Sequence, residues 1–528
     1  MDLFVVLLYA VAAVIWGLAS FNILRHELHM FQQSGYRPVR YARRIFAKPT
    51  DLLPYLALIL LSGIGRWMYD TPWRYLGVAV FGIGAVIAGV AKEPKQAKKP
   101  LVWTARAKRL FITSAILLAA TAVLCAVLMP RYFEEPWNGK AFCIVGCVSA
   151  LMPIVLCIAC AINAPMEHRI NQGYINDAKR ILAGMPNLTV VGVTGSYGKT
   201  SVKNYLAALL GAKYMTLATP ESYNTTLGAV RTIREYLKPT HEVFICEMGA
   251  RQVGDIREIC ELVHPRHGII TAVGEQHLET FGSRENIRKT KYELADALPA
   301  DGKLFVNGDS DGIAAEPPKH AHSTYGLEKE RDFRGEVISV SRKGTEFRVT
   351  TPSGESATFV TPLIGAHNVQ NLVGAIACAY SLGVPLEDMR RPLMRMKAVE
   401  HRMQLIERGS VTIIDDAYNS NPAGAHAALE TLGLFDIRRV LVTPGMVELG
   451  AREAELNREF GADAATHCDA VALVGEAQTR PIYEGLVGAG FAKENIFVAD
   501  TLQDAMKWVY SLGGEKVILL ENDLPDNY

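Results

Sequence analysis

The sequence predicts a multi-domain protein: an α-helical transmembrane region followed by an α/β part built on a phosphate-binding loop. Three observations carry this. Five long apolar runs crowd into the first 165 residues, basic residues collect in two of the loops between them, and a β-branched run then ends in TGSYGKTS and opens a helical pattern. At roughly 150 residues per domain, 528 residues make three or four domains, and 49% hydrophobic residues exclude a disordered or fibrous chain. The 55 Lys and Arg against 54 Asp and Glu leave a net charge of +1, so no chain-wide basic surface points to nucleic acid.

The apolar runs occupy residues 2–22, 52–67, 76–91, 110–129 and 142–163. They are read as five helices crossing about 30 Å of hydrocarbon, the second and third being short enough to tilt or pair as a hairpin. No cleavage site of signal-peptide type follows the first, so it is read as retained. The loop 23–50 carries Arg25, Arg37, Arg40, Arg43, Arg44 and Lys48; the loop 92–109 carries Lys92, Lys95, Lys98, Lys99, Arg106, Lys108 and Arg109. Placing both inside puts the amino terminus outside and everything after residue 165 in the cytoplasm. Beyond setting topology, these loops are a candidate surface for anionic headgroups or a lipid pyrophosphate. Cys125, Cys143, Cys147, Cys157 and Cys160 lie within apolar runs, where neither a disulfide framework nor a metal site is expected.

The cytoplasmic part begins with LTVVGVTGSYGKTSVKNYLAALL, the strand, glycine turn and helix that a phosphate cradle requires. Gly195 and Gly198 let backbone N–H groups face phosphate, with Ser196 between them; Lys199 reaches the β/γ-oxygens, Thr200 offers a hydroxyl to Mg²⁺, and Ser201 completes T-G-x-x-G-K-T-S. Val193 stands where the longer phosphate-loop pattern has its first glycine. Downstream, HEVFICEMGA reads as a strand delivering Glu247, and RHGIITAVGEQHLETFGS as a strand delivering His277. Ligands in open α/β sheets sit at the carboxyl ends of strands, so this carboxylate and imidazole are candidate metal ligands. Alone, His277 would read as a buried, satisfied histidine and Glu247 as a surface acid.

From about residue 188 onward the chain resembles the ATP-dependent Mur ligases, most closely the branch that adds D-alanyl-D-alanine to UDP-N-acetylmuramoyl-tripeptide. Besides TGSYGKTS, the matching segments are SYNTTLG (222–228), EMGA (247–250), HLETFGS (277–283), KTKYEL (289–294), VNGD (306–309), GAHNVQN (365–371), EHR (400–402), DDAYNSNP (415–422) and ELG (448–450). The resemblance implies an α/β P-loop ATPase domain over 180–395 and a Rossmann-like α/β carboxy-terminal domain over 396–528. It implies that Lys199 and Thr200 hold the triphosphate and metal, and that Glu247, His277 and Lys291 serve Mg²⁺, with Lys291 carbamylated. It also places Asn307, His367 and Asn371 near adenine and ribose, Arg402 at a hinge reaching the γ-phosphate, Asp416 at the start of the closing domain, and Asn224 beside the acyl donor.

The implied chemistry is amide-bond formation: ATP activates a carboxylate as an acyl phosphate, which the amine of an amino acid or dipeptide attacks. The implied partners are ATP and a muramyl-peptide or other envelope precursor, soluble or lipid-linked, at the cytoplasmic membrane. Three segments depart from the family pattern. Membrane helices stand where the UDP-binding domain is expected, TPGMVELG replaces G-D-M-x-E-L-G, and VILLENDLPDNY replaces a K-G-S segment. Donor and acceptor therefore stay open. A poly-γ-glutamate synthase shares the same layout; an ATP-driven transporter and a silent membrane scaffold are the readings from other classes.

Overall fold

The apolar runs of the first 165 residues fold as helices: Leu3–Gln33, Pro38–Ala47, Leu53–Tyr69, Arg74–Ala91, Ala105–Tyr132 and Met152–Ala183. The computed structural model describes residues 3–47, 49–69, 71–92, 100–132, 146–221, 223–274, 278–341, 343–418 and 420–523. It divides into two units, Met1–Gln172 and Gly173–Tyr528.

In the first unit, two expectations change. The segment 23–50 is not a loop: the first helix continues to Gln33 because nothing in ILRHELHMFQQ breaks it, and the chain turns away through Gly35, which takes a φ of 68°. A second helix then starts with Pro38 in its first turn, where a missing N–H costs nothing. Among the described residues, one helix, Ala105–Leu124, is by itself long and apolar enough to cross a bilayer. A bent pair, Pro38–Phe46 with Thr50–Gly65, passes only jointly, and Tyr75–Ala91 is apolar but shorter. Part of the fifth expected span, 142–145, lies outside the described residues.

The outer faces of these helices are apolar. Leu7, Val11, Val14 and Leu18 are exposed along the first, Leu53, Leu56 and Leu60 along the third, and Ile112, Ile116 and Val123 along the fifth. Spacings of three, four and seven put each set on one helix face. The inside is partly polar: Glu27 accepts the hydroxyls of Tyr41 and Tyr55, and Lys92 Nζ lies 3.9 Å from Glu27 Oε1 while donating to the Asp51 carbonyl at 3.0 Å. Arg109 grips Glu167 through two bonds of 2.6 and 2.9 Å.

In the second unit, β1 (Thr189–Thr194), β2 (Thr216–Ala218), β3 (Val243–Glu247), β4 (His267–Ile270), β5 (Leu304–Asn307), β6 (His322–Gly326), β7 (Phe333–Ser341), β8 (Gly344–Thr350) and β9 (Ser356–Thr361) form one sheet. Its order is β2-β3-β1-β4-β5-β6-β7-β8-β9, parallel as far as β7 and antiparallel from there. The glycine-punctuated alternation of apolar and polar residues between 325 and 362 forms this antiparallel addition. Both faces of the parallel part are covered, which is why its strands read as almost unbroken apolar runs. Val191, Val193, Val243 and Ile245 pack on one side with the helices Lys199–Leu210 and Ala366–Ser381, while Val190, Phe244 and Cys246 pack on the other. Each such side chain contributes about 1.5–3 kcal/mol by burial.

The second sheet holds β10 (Gln404–Arg408), β11 (Val411–Asp416), β12 (Arg438–Thr443), β13 (Ala470–Val474), β14 (Ile496–Ala499) and β15 (Lys516–Glu521), in the order β10-β11-β15-β12-β13-β14. All neighbours are parallel except β10 with β11. Chain order and spatial order differ here: the last strand is inserted between β11 and β12, so that Asp416 stands in register with Glu521.

Candidate active site

β1 is the centre of the site because it runs between β3 and β4, with Val193 in register with Glu247 and Thr194 with Ile270. The chain leaves β1 through Gly195 at φ 151° and enters the helix Lys199–Leu210 through Gly198 at φ 78°. A Cβ at Gly195 would strike Thr271 and Ala272, and one at Gly198 the Asn371 amide, so any side chain at either position would distort the loop. Ser196 is fixed from the neighbouring loop: its N–H donates to the Ala272 carbonyl at 2.7 Å, and its hydroxyl accepts the Gly274 N–H at 3.0 Å. The helix start therefore presents its backbone N–H groups to a cleft, the arrangement that binds phosphate.

Lys199 curls back to donate to the Ser196 carbonyl at 3.0 Å. Desolvation pulls its ammonium down to about 8; Glu247 opposes the shift and Arg402 adds to it. Thr200 donates to Glu247 Oε1 at 3.0 Å, and Asn224 Nδ2 donates to the same oxygen at 3.1 Å. The other oxygen, Oε2, is buried and accepts no hydrogen bond of good geometry; Lys203 Nζ sits 3.2 Å from it as an ion pair. A buried, under-coordinated carboxylate oxygen beside a threonine hydroxyl is the donor set a hard cation takes, so Glu247 and Thr200 fit Mg²⁺.

Lys291, on the helix Arg284–Asp296, is buried, and burial with the nearby Lys199 pushes its ammonium well below the usual lysine range. Among the described residues it makes no hydrogen bond or ion pair. Glu293, two residues further on, is spent elsewhere, accepting the N–H groups of Gly254 and Arg257 at 2.7 and 3.0 Å. His277 lies outside the described residues; β4, expected to deliver it, ends at Ile270.

The cleft has a volume of about 1000 Å³ and is walled by both sheets' domains. From the central domain come Ser196, Gly198, Lys199, Thr200, Ser201, Asn307, His367 and Asn371; from the carboxy-terminal domain come Arg402 and Asp416. Asn307 ends β5 and donates to the Thr271 carbonyl at 2.9 Å. Desolvation holds His367 down to about 4, so its ring is neutral at pH 7. Arg402 lies 4.4 Å over the Tyr418 ring and is flanked by two residues in left-handed backbone, His401 at φ 57° and Met403 at φ 50°. Such strain on non-glycine residues persists only where surrounding structure imposes it. Here His401 Nδ1 is 2.8 Å from Asp415 Oδ2 and the Met403 N–H donates to Asp416 Oδ1 at 3.1 Å. Desolvation raises Asp416 to about 6, and Glu521 beside it, buried and holding the Ser420 hydroxyl at 2.5 Å, is raised well above the usual carboxylate range.

Sequence reasoning did not find Lys203, Thr271, Gln370 or Glu521. Lys203 had a legible signal, since it lies four residues beyond Lys199 on the same helix. Gln370, which bonds Asp309 Oδ2 at 3.0 Å, and Glu521, which meets Asp416 across about a hundred residues of chain, had none.

A glycine-hinged phosphate cradle at the end of a parallel strand, a buried carboxylate beside its threonine, and a second α/β domain closing the cleft define an ATP-dependent ligase of the two-domain type. Residues 193–379 match the Mur ligase middle domain, and residues 401–521 match the Mur ligase, glutamate ligase domain. The chain is 34% identical over 280 residues to UDP-N-acetylmuramoyl-tripeptide–D-alanyl-D-alanine ligase of Bacillus subtilis (strain 168), covering 52% of this chain and 59% of that one. It is 33% identical over 322 residues to the ligase of the same name from Escherichia coli (strain K12), covering 58% and 69%. Among solved structures it resembles MurF from Acinetobacter baumannii (TM-score 0.61, 26% identity, 67% of this chain and 78% of that one). It likewise resembles the MurF ligase from Thermotoga maritima in complex with ADP (TM-score 0.60, 26% identity, 67% and 80%). The chain belongs to the Mur ligase family, whose members are ATP-dependent, ADP-forming carbon–nitrogen ligases.

Proposed function

We propose that the chain is a membrane-anchored, MurF-like ligase that joins the amine of an amino acid or dipeptide to a muramyl-peptide carboxylate during peptidoglycan precursor synthesis. The observation that carries this reading is the meeting of Lys199, Thr200, Arg402 and Asp416 in one cleft, with Glu247 directly behind Thr200. In the first step a donor carboxylate oxygen attacks the γ-phosphorus of ATP, the bond to the β-phosphate oxygen breaks, and ADP leaves. The amine nitrogen then attacks the acyl carbon, the carbon–oxygen bond to phosphate breaks, and phosphate departs as the nitrogen loses its extra protons.

Each residue has a place in this scheme. The backbone at Gly195–Gly198 cradles phosphate, Lys199 swings from the Ser196 carbonyl to the β/γ-oxygens, and Arg402 supplies a second cation from the closing domain. Asn307, His367 and Asn371 line the nucleoside end, and Asp416 closes on it. Thr200 and Glu247, with His277 and a carbamylated Lys291, would hold Mg²⁺, which neutralises phosphate charge when bound. A buried lysine with no ion pair is suited to carbamylation, because its free amine is nucleophilic and the product turns a cation beside the metal site into an anion. Asn224, bonded to Glu247, orients the acyl donor in this scheme. Closure of the two domains excludes water that would hydrolyse the acyl phosphate.

The exposed apolar faces of the first unit support anchoring in the cytoplasmic membrane, with the ligase domains on the cytoplasmic side. Exposed apolar residues that share one helix face are the kind of surface that lipid covers. The test is phosphate release from Mg-ATP by the full-length protein, comparing UDP-muramyl-tripeptide plus D-alanyl-D-alanine with a lipid-linked muramyl peptide plus a panel of amino acids. Turnover with the soluble pair makes the helices an anchor, turnover only with the lipid-linked donor makes them part of the substrate site, and no turnover with either overturns the reading.

A further inference from the structure

The helix Pro38–Ala47 carries features that the ligase reading leaves without a role. Its sequence, PVRYARRIFA, has three arginines and no acid, with Arg37 and Lys48 flanking it. Tyr41 is its inward residue, 1% exposed, bonded to Glu27, which is itself 3% exposed and also holds Tyr55. That buried anchor fixes the roll of the helix. At about 100° per residue, Val39, Arg43 and Phe46 must then point the opposite way. Val39 is 76% and Phe46 73% exposed, and Arg37 and Arg43 are exposed with them. The segment after residue 100 joins the same end of the helical unit: Gln32 and Val102 exchange two hydrogen bonds of 2.8 and 3.0 Å, and Arg106 lies 4.3 Å over the Tyr36 ring. This segment exposes Trp103, a residue type favoured at bilayer interfaces.

We propose that the outer face of the helix Pro38–Ala47, with Trp103 beside its entry, docks on the anionic phospholipid headgroups of the bilayer. The inference rests on the membrane-anchored reading of the helical unit. Its chemistry is complementary: arginines meet lipid phosphates while Val39 and Phe46 enter the boundary between headgroups and acyl chains, as in interfacial amphipathic helices.

The test places a nitroxide at Val39→Cys, and separately at Ile116→Cys, in the full chain reconstituted into nanodiscs of phosphatidylcholine alone or with about a third phosphatidylglycerol. Collision with oxygen against a water-soluble nickel chelate reports depth. With the anionic lipid, the oxygen-to-nickel ratio at position 39 is expected to rise about threefold or more, and Arg37→Gln/Arg43→Gln is expected to return it to the neutral-lipid value. Lipid-like values at 116 with water-like values at 39 in both discs overturn this inference alone; water-like values at 116 overturn the membrane reading and this inference with it. Protection of position 39 only after a polyprenyl pyrophosphate is added, with no response to phosphatidylglycerol, overturns it in favour of a substrate site.

Discussion

Lys203 and Glu247 form a buried ion pair, 3.2 Å from Nζ to Oε2, one helical turn behind the lysine that faces the cleft. Lys203 also donates to the Glu221 carbonyl at 2.8 Å, so the pair ties the helix Lys199–Leu210, the end of β3 and the segment before Asn224 into one unit. Removing one partner of a buried pair leaves an uncompensated charge, a cost of about 3–5 kcal/mol. Lys203→Met is therefore expected to lower the thermal midpoint of the ligase domains. Lys203→Met/Glu247→Gln is expected to recover much of that loss while turnover stays absent. Equal midpoints for Lys203→Met and the wild type, measured by scanning calorimetry, would show that the pair does not stabilise the fold.

Lys199 gives a pH signature of nucleotide binding. Its ammonium is held down to about 8 by burial, and a bound triphosphate raises it. The complex then binds more protons than the free protein above pH 8, so affinity is full below that pH and falls as pH rises through it. Calorimetry of ATP binding in buffers of different ionisation enthalpy is expected to show proton uptake at pH 8.5 and little at pH 6.5. Lys199→Ala is expected to abolish the uptake and to lower turnover by about a hundredfold or more.

Lys291 is expected to make turnover depend on bicarbonate. Depletion of carbon dioxide should slow phosphate release reversibly, and Lys291→Ala should lose about a hundredfold, partly restored by short-chain carboxylates that fill the space of the carbamate. Activity of Lys291→Ala equal to the wild type in bicarbonate-free buffer would exclude a carbamate at this position.

Asp416 makes the carboxy-terminal domain less stable as pH rises. Its folded value of about 6 lies above the unfolded carboxylate range, so its contribution is fully present below about pH 4 and lost as pH rises through 6. Asp416→Asn removes this titration and is expected to stabilise the domain by about 1–3 kcal/mol at pH 8 relative to pH 4, while impairing turnover. Denaturant midpoints at the two pH values check it; an equal effect at both would contradict the assignment.

The phosphate loop was legible because everything it needs is contiguous: the β-branched strand, two glycines in turn conformations, and a lysine and threonine at a helix start. Glu247 was legible as the last residue of an apolar run. The basic segment 23–50 has the charge of a connection, yet Arg25 lies on the first helix and Arg40, Arg43 and Arg44 on an amphipathic helix fixed by Tyr41. The expected span count rests on local hydropathy, and among the described residues one helix, Ala105–Leu124, passes alone by length and composition.

By itself the sequence determined the order of the parts, the nucleotide-binding loop and the residues that family motifs carry, because each is encoded within a short stretch of chain. Tertiary structure alone decided which charged groups face one another. β15 enters the sheet between β11 and β12, which sets Glu521 against Asp416, and parallel pairing brings β3 beside β1, which sets Glu247 against Thr200 and Lys203. Sheet order is a property of how layers pack around a core, and the chain's local preferences do not contain it.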